Sequence, residues 1–343
     1  MKLQTLKIII CPACGYSPLK LDAFDTQQET IIEGILQCSS CKESYLINEG
    51  IARMVTRVSG LSDAHREIAQ ANAEYHNIIY LDYERDGERW YLKDSFNQNR
   101  IKDIIFDLSH KTENNYFIDI GCGTGNILRF GQRFFKYTIG VDISFNMLRI
   151  ARDRGYEVIQ ADALCLPFRL HTFDVVSAFS LLHHLFDYKQ FFTEAGRILK
   201  QGGFIYTDWD PQKQPKINEK KLSWRIFVLL DFFGKRLKKI IRVSRKPPAF
   251  DLIKTRPEIK NLYEKTEYHN IFLKADRRGI DVSAVKEILK KDNFTCINPV
   301  FHVNGRQIQK LPFSAKVRFF FLRYQNYPLE RFTENVMFIA NKK

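Results

Sequence analysis

The chain has 343 residues, 45% hydrophobic and 27% charged, enough apolar side chain for a sizeable core, which excludes a disordered tail or a fibre. Its formal charge of +14 is uneven: residues 1–210 hold 23 Lys+Arg against 27 Asp+Glu, and residues 211–343 hold 30 against 12, so an anionic partner should meet the C-terminal third. No apolar run approaches the roughly 18–20 residues that cross a bilayer, and the expectation is a cytoplasmic chain with no signal peptide or spanning helix.

Four of the seven cysteines form two Cys-x-x-Cys pairs, Cys11/Cys14 and Cys38/Cys41, and the other three stand alone, unlike the even spread of a secreted disulfide framework. Each pair makes a tight turn that can present both sulfurs to one tetrahedral ion, and Gly15 permits the positive φ that aims backbone amides at sulfur. The 23 residues between the pairs contain strand-like Leu19–Leu21 and Ile31–Leu36. The pattern predicts a zinc ribbon over residues 1–56, with four thiolates closing a Zn²⁺ site that leaves no position for chemistry, so the metal is structural. With the segment from Tyr45 to Met54, residues 5–56 resemble the small zinc-ribbon activator of tRNA and rRNA methyltransferases. That resemblance implies a platform or stabiliser without catalytic residues.

Residues 57–115 carry Tyr75, Tyr80, Tyr83, Trp90 and Tyr91 among charged residues and read as a helical connector. Tyr116–Ile120 is then a strand-forming run that ends in Gly121-Cys122-Gly123-Thr124-Gly125, and Asn126 to Phe135 reads as a helix. Strand, glycine turn and helix open a nucleotide-binding α/β fold. Asn126 stands where a dinucleotide fingerprint wants its third glycine. Asp119 puts a carboxylate two residues before the first glycine, which suits a ligand carrying an ammonium and a sulfonium better than a pyrophosphate.

A second strand, Tyr137–Val141, leads to Asp142, 21 residues beyond Gly121, where a carboxylate can accept from both ribose hydroxyls. Asp162, after a third strand at Glu157–Gln160, can accept from an exocyclic adenine amine. Taken singly, Asp142 could cap a helix and Asp162 a turn. Phe173–Ser177 is a fourth strand, followed by Ser180-Leu181-Leu182-His183-His184, and Phe204–Thr207 begins a fifth. Cys122 and Cys165 flank the pocket as packing residues.

With these landmarks in order, residues 116–208 resemble the class I S-adenosylmethionine-dependent methyltransferases, particularly those of ubiquinone and menaquinone biosynthesis. The likeness resumes at Val282–His302 and Asn335–Ala340. It implies a Rossmann-like α/β fold, a seven-stranded, mostly parallel sheet with helices on both faces, built from residues 116–210 and 280–343 and capped by the connector. S-Adenosyl-L-methionine would be held by Asp119, Gly121, Cys122, Gly123, Gly125, Asp142, Ile143, Asp162, Ala163 and Ser180. An acceptor of high pKa would need a base, for which His183, His184, Asp208 and Asp210 are the candidates, the two acids lying just past the fifth strand. Ser180-Leu181-Leu182-His183 replaces the Asn/Asp-Pro-Pro-aromatic turn usual in exocyclic-amine methyltransferases, which disfavours that subclass.

Residues 211–279 are a basic helical insertion. Between 213 and 246, 12 Lys+Arg meet only Glu219 and Asp231, and Leu222, Ile226, Leu229, Leu230, Phe233, Leu237, Ile240 and Ile241 share one helical stripe. Such a helix suits a lid on the catalytic domain, an anionic membrane surface or a phosphate backbone, and Lys316–Tyr324 adds a second aromatic-basic run. The main expectation is methyl transfer to a small-molecule or lipid-like acceptor, with peripheral membrane contact through 213–246. The alternative is an rRNA or tRNA base gripped by ribbon and insertion, and a third is a non-catalytic S-adenosylmethionine-binding scaffold.

Overall fold

The computed structural model describes residues 1–56, 62–81, 83, 95–211, 262, 279–302 and 335–343. The basic stripe at 213–246, the run at 316–324, and Trp90 and Tyr91 lie outside them. Among the described residues no helix is long and apolar enough to cross a membrane.

The strands are β1 (Lys20–Gln27), β2 (Thr30–Gln37), β3 (Ser44–Asn48), β4 (Ile51–Arg53), β5 (Tyr116–Ile120), β6 (Tyr137–Asp142), β7 (Glu157–Gln160), β8 (Phe173–Phe179), β9 (Leu199–Pro211), β10 (Phe294–His302) and β11 (Asn335–Lys342). They form one sheet in the order β1-β2-β3-β4-β7-β6-β5-β8-β9-β11-β10. The α/β part of it is the expected one: β7, β6, β5, β8 and β9 run parallel, and β11 enters antiparallel between β9 and β10.

Helices cover both faces because alternate side chains of each strand point to opposite sides. Phe117, Val175 and Tyr206 pack with Ile101, Ile105 and Leu108 of α2 (Ser95–His110) and Phe130 of α3 (Leu128–Phe134). Their strand neighbours Ile118, Val176 and Ile205 pack on the other side with Phe191, Phe192 and Ala195 of α5 (Tyr188–Ile198) and Val285 and Leu289 of α6 (Val282–Lys291). Strands covered on both faces are mostly apolar, which is why β5 and β8 read as hydrophobic runs interrupted only by Asp119, Asp174 and Ser177. The remaining helices, α1 (Asp63–Ile79) and α4 (Phe145–Asp153), begin at serine caps: Ser62 accepts from the His65 amide and Ser144 from the Met147 amide.

The ribbon is built into this sheet. β4 pairs parallel with β7, Ala52 opposite Ile159 and Arg53 opposite Gln160. Ile10 N donates to Pro167 O at 3.0 Å and Arg169 N to Ile8 O at 2.9 Å, around an Ile9–Phe168 bridge. Ile8, Ile9, Met54, Ile159 and Phe168 lie in one buried cluster. Glu157 accepts from Lys2 N at 2.9 Å and Thr5 Oγ1 at 2.6 Å, while Glu49 pairs with Arg149 and Arg152. Sheet and core therefore run on across residue 56.

β9 is longer than its sequence suggests. Gly202 adopts φ 76° without ending it, and pairing with β11, Val336 opposite Asp210, carries it to Pro211. Asp208 and Asp210 are thus strand residues and not part of a following loop.

Candidate functional site

The four sulfurs of Cys11, Cys14, Cys38 and Cys41 lie within 4.8 Å of one another, with Cys11–Cys41 at 3.5 Å and Cys14–Cys38 at 3.6 Å. A tetrahedral ion with Zn–S bonds of about 2.3 Å sets sulfurs about 3.8 Å apart, so the four thiols fit a closed structural Zn²⁺. Each knuckle turns through a left-handed residue four places after its first cysteine, Gly15 at φ 76° and Lys42 at φ 67°. Their amides donate to Cys11 O at 2.8 Å and Cys38 O at 3.1 Å. Tyr45, whose hydroxyl lies 3.1 Å from Cys11 Sγ, can donate to a metal-bound thiolate and orient it. Cys165 meets the ribbon too, donating to Pro12 O at 3.3 Å.

At the C-terminal ends of β5 to β8 opens a cleft, the place where parallel α/β sheets bind ligands. Of the predicted cofactor residues, Gly121, Gly123, Asp142, Ile143, Asp162, Ala163 and Ser180 line it. Asp142 Oδ2 accepts from Gly123 N at 2.9 Å and Oδ1 from Ser144 N at 2.8 Å, leaving each oxygen a lone pair for a ribose hydroxyl. Since Ser144 caps α4, Asp142 is not its N-cap. Asp162 does cap its turn, Oδ1 accepting from Leu164 N at 2.8 Å, while Oδ2 accepts from His65 Nε2 at 2.8 Å.

Asp119, Cys122 and Gly125 stand back from the cleft. A Cβ on Gly125, at φ 88°, would come within 2.6 Å of the Tyr156 ring, so that glycine serves packing under the loop. Cys122 turns its side chain into a core of Leu128, Leu148 and Val158. Asp119 is buried beneath the loop, accepting from Ser177 Oγ at 2.6 Å, and burial, with a smaller push from Asp142, raises its pKa from 3.8 to about 7. An unfolded aspartate ionises near 3.8, so this group's contribution to stability is lost as pH rises toward and through 7. Asp119→Asn should therefore raise the melting temperature more at pH 8 than at pH 5. An equal change at both would show that Asp119 does not titrate in this range.

Only one of the four base candidates, His184, reaches the cleft. Behind it, buried His183 donates through Nδ1 to Asp210 Oδ1 at 2.8 Å and through its amide at 3.2 Å. Burial pushes the Asp210 carboxyl up and His183 opposes the shift. Asp208 is committed to structure: Oδ2 meets Arg100 Nη1 at 2.8 Å and accepts from Tyr206 OH at 2.9 Å, and Oδ1 accepts from Trp209 N at 2.8 Å.

The connector, expected as a cap, lines one wall of the cleft with α1 side chains that sequence reasoning did not single out. His65, Ile68, Ala69, Asn72 and His76 of α1 face it, joined by Tyr83, and the His76 ring meets His184 edge-on at 5.6 Å. Asn77 fixes α1 to α4, accepting from Ser144 Oγ at 2.8 Å and Asn146 N at 3.0 Å. A mostly polar stripe at helical spacing was the available signal, and apolar periodicity passes over it.

A parallel sheet, a glycine loop at its C-terminal edge and acids after successive strands define a nucleoside-binding α/β enzyme class. Residues 118–207 match the family described as a methyltransferase domain, and residues 2–50 that described as Trm112p-like protein. The chain thus combines a class I S-adenosylmethionine-dependent methyltransferase domain with a Trm112-like N-terminal domain. It is 37% identical over 101 residues to a tRNA (carboxymethyluridine(34)-5-O)-methyltransferase of Arabidopsis thaliana, covering 28% of this chain and 24% of that protein. It is 26% identical over 284 residues to the uncharacterized protein MJ1252 of Methanocaldococcus jannaschii, covering 81% and 93%. A solved Haloferax volcanii complex between the Trm112 methyltransferase activator and a methyltransferase aligns with a TM-score of 0.41 at 12% identity, covering 82% of this chain and 99% of that one. The matched stretch spans about a quarter of the length of the curated tRNA methyltransferases it resembles.

Proposed function

We propose that this chain transfers a methyl group from S-adenosylmethionine to a base of tRNA. The observation that carries this reading is the likeness to a relative named for methylating a modified tRNA uridine, which favours RNA over a small or lipid-like acceptor. When bound, S-adenosylmethionine supplies a methyl carbon activated by its sulfonium. Asp142 would accept from the ribose hydroxyls, Asp162 would hold the adenine edge, Gly121, packed under Leu181, would hold the sharp bend of the loop, and Gly123 would let its backbone approach the methionine portion. If the base is a carboxymethyluridine, as in that relative's name, the acceptor is a carboxylate oxygen with no proton to lose, so the cleft has only to align it and exclude water. His184 and His76, at the mouth of the glycine loop, orient that oxygen. The basic C-terminal third supplies the attraction for the phosphate backbone.

The test uses the full chain with zinc, labelled S-adenosylmethionine, bulk tRNA and, in parallel, a lipid extract. Label should enter a single nucleoside of digested tRNA, and tRNA retention should weaken steeply with salt. Label in the lipid extract would restore the small or lipid-like acceptor, and cofactor binding without transfer to any cell fraction would leave a scaffold.

A further inference from the structure

Helix α1 carries two buried acceptor atoms that have no partner among the described residues, His65 Nδ1 and Asn72 Oδ1, on side chains that line the cleft and belong to residues only 4% and 6% exposed. Their chemistry is settled by the bonds their other atoms make. Asn72 Nδ2 donates to the His184 carbonyl at 3.1 Å; a flipped amide would set two oxygens against each other, so the unpartnered atom is the oxygen. His65 Nε2 lies 2.8 Å from a carboxylate oxygen of Asp162, which only accepts, so a neutral ring keeps its lone pair at Nδ1.

Buried acceptors without donors cost stability, and neither is needed to hold the helix, which Ser62 caps and Asn77 ties to α4. The two residues are seven positions apart, about 10 Å along a helix axis. His65 stands at the Asp162 end of the cleft. Asn72 stands at the turn Leu182–His184, next to Leu181, whose side chain closes over Gly121. A nucleoside bearing an amino-acid tail has an N–H donor at each extremity, the exocyclic amine of adenine and the α-ammonium.

We infer that α1 reads both ends of the cofactor, His65 Nδ1 accepting from the adenine amine beside Asp162 and Asn72 Oδ1 accepting from the α-ammonium. This rests on the S-adenosylmethionine reading of the cleft and adds to it two contacts from outside the methyltransferase domain match. It makes the connector a specificity element as well as a cover.

Calorimetry with two ligands tests it: S-adenosylhomocysteine, and 5′-methylthioadenosine, which keeps the adenosine and lacks the ammonium. Asn72→Ala should weaken S-adenosylhomocysteine about tenfold, as expected for one hydrogen bond to a charged group, and leave methylthioadenosine unchanged. His65→Ala should weaken both alike. Asn72 also holds the His184 carbonyl, and methylthioadenosine, bound in the same cleft without an ammonium, reads any loss that comes from freeing that carbonyl. Equal losses for both ligands in Asn72→Ala, or no loss for either, overturns the ammonium contact. Failure of the unmodified protein to bind S-adenosylhomocysteine removes the cofactor reading and this inference together. Binding by the unmodified protein with no ligand discrimination in Asn72→Ala, or with undiminished affinity for both ligands in His65→Ala, removes this inference alone.

Discussion

Cys38→Ser, or stripping the protein of zinc with a chelator, is expected to unfold the whole molecule in one transition. Metal binding contributes about 10–16 kcal/mol of apparent free energy to small zinc-binding units, as much as or more than the 5–15 kcal/mol by which a whole domain is stable. Cys38 is one of four thiols that converge within 4.8 Å. Losing their shared ion frees β1 to β4, and with them Ile8, Ile9 and Met54, which complete the cluster around Ile159 and Phe168. It also uncovers the edge of β7, a row of unpaired amides and carbonyls flanked by apolar side chains. Far-UV circular dichroism and Trp209 fluorescence, read in a variant with Trp90 and Trp224 replaced by Phe and followed together through a chelator titration, should coincide, because Trp209 belongs to β9 in the methyltransferase half. A ribbon that melts alone while Trp209 keeps its native signal would show that the shared sheet does not couple them.

Asp208→Ala should destabilise the fold by about 3–5 kcal/mol, the scale for breaking a buried ion pair by removing one partner. Asp208 is fully buried and Arg100 is 21% exposed at the side chain, so the guanidinium would be left with little water to replace the carboxylate. Tyr206 would lose its hydroxyl acceptor as well. The denaturation midpoint measures the cost, and combining Asp208→Ala with Arg100→Met should recover part of it, because the second change removes the stranded charge. Cofactor affinity at 25 °C should survive, since neither side chain lines the cleft. A variant of full stability that binds cofactor and transfers no methyl group would instead return Asp208 to the role of base.

The same residues show where one-dimensional reasoning succeeds and stops. The knuckles, the glycine loop, Asp142 and Asp162 all emerge at or beside their expected places, because each is a local device: a turn of four or five residues whose chemistry is carried by its own side chains and backbone. The turn that closes around zinc needs Gly15 or a strained Lys42, and the sharp bend at Gly121 needs φ 72° with the Leu181 side chain pressed against it. Such requirements leave marks in a short stretch of chain.

Other features depend on partners far away along the polypeptide. Ile51–Arg53 is too short to show a strand pattern, and it becomes one by lying against β7. Asp208 looks like an exposed acid after a strand until β11 extends that strand and Arg100 arrives from α2, ahead of β5. His183 and His184 are adjacent and chemically identical, and only the directions they take from the turn Leu182–His184, one to Asp210 and the other to the cleft, distinguish them. Local backbone chemistry was therefore enough to specify the metal knuckles and the nucleoside loop. Which acids are buried in pairs, which histidine meets the ligand, and how a ribbon becomes part of an enzyme's sheet were set by long-range burial and pairing, because desolvation and hydrogen-bond satisfaction depend on neighbours that adjacent residues do not reveal.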